Sequence, residues 1–261
     1  MTIQATEAIL TVSSQMPNSR RRFFTARRFV TPLVLVLVLA ALLLWVSSLS
    51  LDSIEQRTLN WHFVVTRIRE HLGLTVATSA LVAVLAIPAG IALSRIKSRA
   101  VQSVALGLAN IGQATPVIGV IILLAILWQT GYATALVALV IYTFLPVLSN
   151  TLIGLQQVDE SVRESAIGMG MTPNQVLRRI ELPLATPVIL AGLRTSIVFA
   201  VGAATVATFI NAGGLGDLIV NGLTLQRFPV LITGAVLVAC IAVLIDWIAG
   251  VAEDLLRPQG I

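Results

Sequence analysis

Six runs of roughly twenty apolar residues dominate this sequence, over about 32–49, 73–94, 103–128, 132–152, 187–209 and 229–250. Each is long enough to cross a hydrocarbon layer about 30 Å thick, which takes about 20 residues of α-helix. Inside such a layer only helices and closed barrels satisfy the backbone, and the alternating segments of about ten residues that mark a barrel are missing from these runs. Charged residues make up 11% of the chain and apolar ones 57%, whereas soluble domains carry about 25% charge. The sequence therefore reads as all-α: a polytopic helical membrane protein with about six transmembrane helices. The third run is interrupted near Gln113-Ala114-Thr115-Pro116, and the fourth contains Pro146.

Basic residues set the expected orientation. Residues 1–28 are polar and carry Arg20, Arg21, Arg22, Arg27 and Arg28, which suits a disordered cytoplasmic tail. Ser19-Arg20-Arg21-Arg22-Phe23 also resembles a twin-arginine export signal, but the apolar run from Pro32 to Leu49 is long for a signal segment and reads as helix one. With the N-terminus inside, 13 of the 17 basic residues fall on one face and only Arg57, Arg67, Arg69 and Arg227 on the other. That bias places both termini in the cytoplasm and explains the net charge of +5 without a nucleic-acid partner. Trp45, Trp61, Trp128 and Trp247 then fall near the interfaces, as an aromatic belt would. Segment 51–72 is polar and external in this arrangement. It suits a short amphipathic helix at the interface, serving as a partner contact or a solvated connector.

Several functions lack the residues they need. A phosphate cradle ends in Gly-Lys-Ser/Thr, yet the one lysine, Lys97, follows Ile96. Gly213-Gly214-Leu215-Gly216 follows a membrane helix and reads as a tight turn at the outer mouth. His62 and His71 have no nucleophile motif nearby, and no intramembrane His or Asp pairing suits a metal. Cys240 sits alone in an apolar run as a small hydrophobe. Asp246, the one carboxylate in an assigned span, lies near the inner end of helix six, where it can reach headgroups or another helix. That placement weighs against a proton relay.

The polar island between helices four and five, residues 156–186, is the most informative loop. Residues 158–168 suit a helix with Val158, Val162 and Ala166 on one side. Gly168 and Gly170 suit a tight reversal with positive φ. Thr172 is a good N-cap, Pro173 suits the first helical position, and Gln175 completes a capping box. The second helix carries Val176, Leu177 and Ile180 on one side and is expected to stop before Pro183, which opens helix five. Such a hairpin can seat in a groove of another protein or rest on headgroups. The residues alone do not choose.

The order Glu164-Ser165-Ala166, three residues, Gly170, nine residues, Ile180-x-Leu182-Pro183 resembles the cytoplasmic loop of ABC importer permeases. Ser165 stands where that family usually has alanine, and Ile167 where a basic residue is frequent. Within importers, several segments look like the glycine betaine, choline and carnitine uptake permeases. They are His71-Leu72-x-Leu74-Thr75, Ile87-Pro88-x-Gly90-Ile91, Gln113-x-x-Pro116, Leu145-Pro146-Val147-Leu148-x-Asn150-Thr151, Leu184-Ala185-x-Pro187-Val188-Ile189-Leu190-Ala191-Gly192-x-Arg194-Thr195 and Gly213-Gly214-Leu215-Gly216-Asp217. The resemblance covers about 70–255, which it marks as the permease core. Residues 29–69 then hold helix one and an external connector, and 256–261 a C-terminal tail.

The resemblance implies a type I importer fold in a bacterial inner membrane. Its ATPase-coupling loop would comprise Glu164, Ser165, Ala166, Gly168, Gly170, Ile180, Leu182 and Pro183, seated in a cleft of an ATPase pair. This chain would bind no cofactor; ATP and Mg would sit on the ATPase subunits. A second copy or a related permease would complete the path, and an external binding protein would deliver solute. Gln113, Thr115, Pro116, Asn150 and Asn211 are the candidates for the path by alternating access, because a proline break frees backbone carbonyls only where they are buried or face water. A packing kink is the plainer reading of Pro116 and Pro146 singly. An importer for another small polar solute, a stand-alone secondary transporter and a structural subunit are the competing readings.

Overall fold

Helices are the only regular elements among the described residues, 27–256, of the computed structural model. The helices are α1 (Arg27–Ser47), α2 (Ser53–Thr58), α3 (Trp61–Arg95), α4 (Arg99–Ala114), α5 (Val117–Leu127) and α6 (Tyr132–Gln156). They continue with α7 (Glu160–Gly168), α8 (Pro173–Val176), a π-helical turn (Leu177–Glu181) and α9 (Leu182–Ala204). A 3-10 turn (Thr205–Ile210), α10 (Gly216–Thr224) and α11 (Phe228–Leu256) complete the chain. The expected N-terminal tail lies outside the described residues except for Arg27 and Arg28, which open α1, and so do residues 257–261.

Among the described residues five stretches are long and apolar enough to cross a membrane, and the pair α4–α5 makes a sixth if counted as one span. The expected interruption near Pro116 is real and sharp, a bend of 92° between the two helices. Pro116 caps α5 and has no N–H to continue α4.

Two expected boundaries move. The span expected at 73–94 begins twelve residues earlier, at Trp61, so most of the external connector is the first part of α3 rather than a separate interfacial helix. Asn60 starts it by accepting a hydrogen bond from the Phe63 N–H. The one separate piece is the short α2, where Asp52 and Glu55 form a reciprocal capping box. Helix five also begins earlier than the expected 187. The second arm of the hairpin does not stop before Pro183; the π-turn carries it directly into α9. Pro183 sits in the first turn of α9, where its missing N–H costs least.

α6 is the centre of the bundle and packs along α3 and α9. The packing is close because small residues stand at the crossings. A Cβ on Gly90 would lie 2.6 Å from Thr151 Cβ, and one on Gly192 would lie 2.6 Å from Asn150 Cβ and 2.7 Å from the Pro146 carbonyl oxygen. Ser196 adds a buried hydrogen bond from α9 to the Thr143 carbonyl of α6, 2.9 Å long. Leu74, Ile121, Leu139 and Ala204 fill one half of the bundle, and Val82, Ala86, Val147 and Leu152 the other. α1 packs on α11, buries Leu42 and is otherwise largely exposed.

Asp246 resolves its expected alternatives by reaching another helix: Arg194 of α9 donates to it from Nε and Nη2 at 2.5 and 2.6 Å. Cys240 is buried, as its apolar run suggests.

The crossing geometry makes a direct expectation. Gly192→Ala must separate α9 from α6 and destabilise the protein by about 1–3 kcal/mol, the usual cost of overpacking. Gly73 has nothing within 4 Å of its missing Cβ, so Gly73→Ala is neutral or slightly stabilising. Thermal unfolding of the detergent-solubilised variants measures the contrast.

Candidate functional site

The direction of the helices collects the ends of α3, α6 and α11 and the start of α9 on one face, and the hairpin α7–α8 lies there. Asp159 caps α7 by accepting from the Ser161 N–H at 2.8 Å. Hydrogen bonds from that N–H and from the Ser161 hydroxyl hold the Asp159 carboxyl below the usual carboxylate range. Val158, just before the cap, and Ala166 of α7 are both buried. Its outer side shows Ser161, Glu164, Ser165, Gly168 and the apolar Val162, Ile167 and Met169. Val162, expected on the inner side, is 40% exposed.

The reversal uses one glycine rather than two. Gly170 has φ +84°, whereas Gly168 is the last residue of α7. The Gly170 and Met171 N–H groups bond back to the Ile167 and Ala166 carbonyls, which satisfies the helix end. Thr172 and Gln175 form the expected capping box, with Pro173 at the first helical position. Val176 is buried, Ile180 is half-buried, and Leu182 and Pro183 lie half-buried at the entry to α9.

The motif reading missed the residue that holds the hairpin to the bundle. Glu181, between Ile180 and Leu182, is 2% exposed and faces two arginines. Arg95, the last residue of α3, donates from both terminal nitrogens, one to each carboxylate oxygen. Arg163 of α7 places Nε 3.0 Å from Oε1, an ion pair without hydrogen-bond alignment. Arg163 also donates to the Leu155 carbonyl and to Glu160. The available signal was a lone glutamate in a helical stretch that the apolar pattern turns inward.

The candidate path residues do not converge. Gln113 and Thr115 are half-buried at the α4–α5 bend, beside the exposed Pro116. The Thr115 hydroxyl is engaged by the Ile111 carbonyl at 2.7 Å. Gly112 packs on Ile141 of α6, and Asn150 is nine residues further, about 13 Å along that helix. Asn150 donates to the Pro146 carbonyl at 2.8 Å and packs on Gly192, a helix-contact role. Asn211 ends the 3-10 turn in the left-handed conformation, φ 61°.

A second polar knot closes the opposite face. Gly213 and Gly214 both take positive φ, as a tight turn requires. Glu70 accepts from the Gly214 N–H at 2.9 Å, and Arg67 bridges Glu70 and Asp217 at 2.7 and 3.0 Å. Arg67 also stacks over Phe63. Burial pushes the Asp217 carboxyl up, against the pull of Arg67. His71 donates from Nε2 to the Val201 carbonyl at 3.1 Å. Thus Arg67, Glu70 and His71, read as connector residues, pin α3 to the other chain segments of this face. Among the described residues no group of His, Cys, Asp or Glu could hold a metal ion.

Residues 86–258 match the family described as the inner membrane component of binding-protein-dependent transport systems. This chain belongs to that family. It is similar to the choline transport system permease protein OpuBB of Bacillus subtilis (strain 168), 41% identical over 191 residues, covering 73% of this chain and 87% of that protein. It is 40% identical to the glycine betaine/carnitine/choline permease OpuCB of the same organism over 192 residues, 74% of this chain and 88% of that one. The osmoprotectant import permease OsmY of Salmonella typhimurium is 34% identical over 222 residues, 85% of this chain and 92% of that protein. The fold is similar to that of the inward-facing MetNI methionine ABC transporter, with a TM-score of 0.67 at 20% identity over 74% of this chain and 96% of that one.

The positive φ at Gly170 yields an expectation. Gly170→Ala strains the turn by about 1–2 kcal/mol, while Gly168→Ala, in a helical position with open space, does not. Hydrogen exchange across residues 165–176 should rise in the first variant and stay unchanged in the second.

Proposed function

We propose that this chain is the pore-forming membrane subunit of an ATP-driven importer of quaternary ammonium osmoprotectants, such as glycine betaine, choline or carnitine, working by alternating access. One observation carries the coupling part of this reading. The hairpin presents an exposed, mixed polar and apolar surface on α7, built from Glu164, Ser165, Ile167 and Met169, on a helix anchored from behind by Ala166 and Arg163. A short helix that exposes apolar side chains among polar ones suits a groove of another protein, and the groove assigned here belongs to an ATPase subunit that carries ATP and Mg. The face with the hairpin is then cytoplasmic, in agreement with the distribution of Lys and Arg.

The solute class is supported by the names of the relatives at 34–41% identity, which are choline, glycine betaine/carnitine/choline and osmoprotectant permeases. A second permease copy, or a related permease, completes the path, and an external binding protein supplies solute. Gln113, Thr115 and Pro116, at the one broken span, are the segment proposed to border that path; Asn150 and Asn211 are assigned to packing and to a turn instead.

Docking and transport are separable by mutation. Glu164→Ala and Ile167→Asp should leave membrane insertion intact and lower solute uptake and transport-linked ATP hydrolysis by about tenfold, equivalent to about 1.4 kcal/mol of lost interface. Co-purification with the ATPase subunit, and uptake by reconstituted complexes, measure both effects. Full-rate uptake by this chain alone in vesicles would overturn the reading. Retention of a different solute by the purified external binding protein would overturn the assigned solute class.

A further inference from the structure

The Glu181 cluster joins elements that are remote in sequence, and anchoring α7 accounts for only one of its two arginines. Arg95 stands at the end of α3, Glu181 at the junction of the π-turn and α9, and Arg163 on α7. Arg163 also reaches the Leu155 carbonyl near the end of α6. One buried carboxylate thus links the hairpin to three spanning helices. The remaining attachment of α7 is slight: the buried Val158 and Ala166, and the chain itself. Covalent connection ties the hairpin to α6 and α9; to α3 it is tied by the Glu181 ion pair, beside an apolar cluster that holds Leu177 and Leu182 with Ile87 and Ile91 of α3.

Such a cluster is a poor choice for stability alone. A buried ion triad can often be replaced by apolar residues at no loss, whereas removing one member strands a charge. Its distinctive property is geometric, because a bidentate guanidinium–carboxylate pair fixes distance and orientation together. The charges balance locally, with Arg95 and Arg163 against Glu181 and Glu160. A π-turn ends at Glu181, and such turns are frequent at functional positions.

We propose that Glu181, clamped by Arg95 and Arg163, is the positioning residue that makes α3 move with the docking hairpin as one body. It rests on the docking role assigned above and adds the route by which a displacement of α7 reaches a helix that the chain does not connect to it. Glu181 touches neither the ATPase subunit nor the solute.

The test uses spin labels at Ser161→Cys on α7 and Lys97→Cys beyond α3, in a Cys240→Ala background that removes the free cysteine. The full chain is placed in nanodiscs, alone and in complex with its ATPase subunit. The expected result is a narrow distance distribution that ATP binding leaves unchanged. Glu181→Gln, which keeps the side chain's size, should broaden it. Arg95→Lys, which keeps the charge but loses the fork, should broaden it less. In reconstituted complexes supplied with glycine betaine, Glu181→Gln should keep ATPase binding and ATP hydrolysis while solute moved per ATP falls by about fivefold or more. Distributions identical in wild type and in both single variants overturn the clamp. So does a loss of transport that only tracks loss of ATPase binding, which would make Glu181 a docking residue. Failure of the wild-type chain to bind an ATPase subunit would instead sink the docking role, while the distances in the chain alone would still decide the clamp.

Discussion

Within a hydrocarbon layer no water is available to satisfy a broken backbone hydrogen bond, and every long element here obeys that constraint. Apolar burial cannot hold the helices together there, because lipid tails are as apolar as leucine. What remains is close contact and internal hydrogen bonding. α6 supplies both, receiving Gly90 and Gly192 from its neighbours and a hydroxyl bond from Ser196. Irregular backbone appears at the bend before Pro116, in the 3-10 turn after α9 and in the connections at the two faces.

Two ion-pair knots accordingly stand at the two ends of the bundle, apart from the Arg194–Asp246 pair between α9 and α11. At one end Arg67 holds two carboxylates, and one of them, Glu70, pins the Gly213-Gly214 turn to α3. At the other, Arg95 and Arg163 hold Glu181 beneath the hairpin. Each knot uses arginine, whose planar fork suits a carboxylate at a fixed geometry. α3 takes part in both, so this one helix, the longest uninterrupted α-helix among the described residues, joins the two polar faces.

The parts legible in the sequence were those written in local chemistry. Apolar run length located the spanning helices, the Thr172–Gln175 capping box located the restart of the hairpin, and the Gln113–Pro116 interruption located the bend. Boundaries failed where polar residues lie inside a helix because of distant partners. Arg67, Glu70 and His71 look like a solvated connector until Gly214, Asp217 and Val201 are placed beside them. Pro183 looked like a stop because the π-turn before it has no local signature. In the candidate site, Gly170 and the exposed face of α7 follow from spacing. Glu181 does not, because its meaning depends on an arginine 86 residues away. Asn150 reads as a polar lining residue, yet its amide serves the Pro146 carbonyl of its own helix.

The absence of a joint between the hairpin's second arm and α9 has a mechanical corollary. From Pro173 to Ile210 the chain is one helical rod of 38 residues, about 55 Å long at the usual rise. Tilting its lower end by about ten degrees would sweep the far end through about 10 Å on that length. A rod of that length would work as a lever: under the docking role proposed for the hairpin, a small tug at its Pro173 end would become a wide displacement near Ile210.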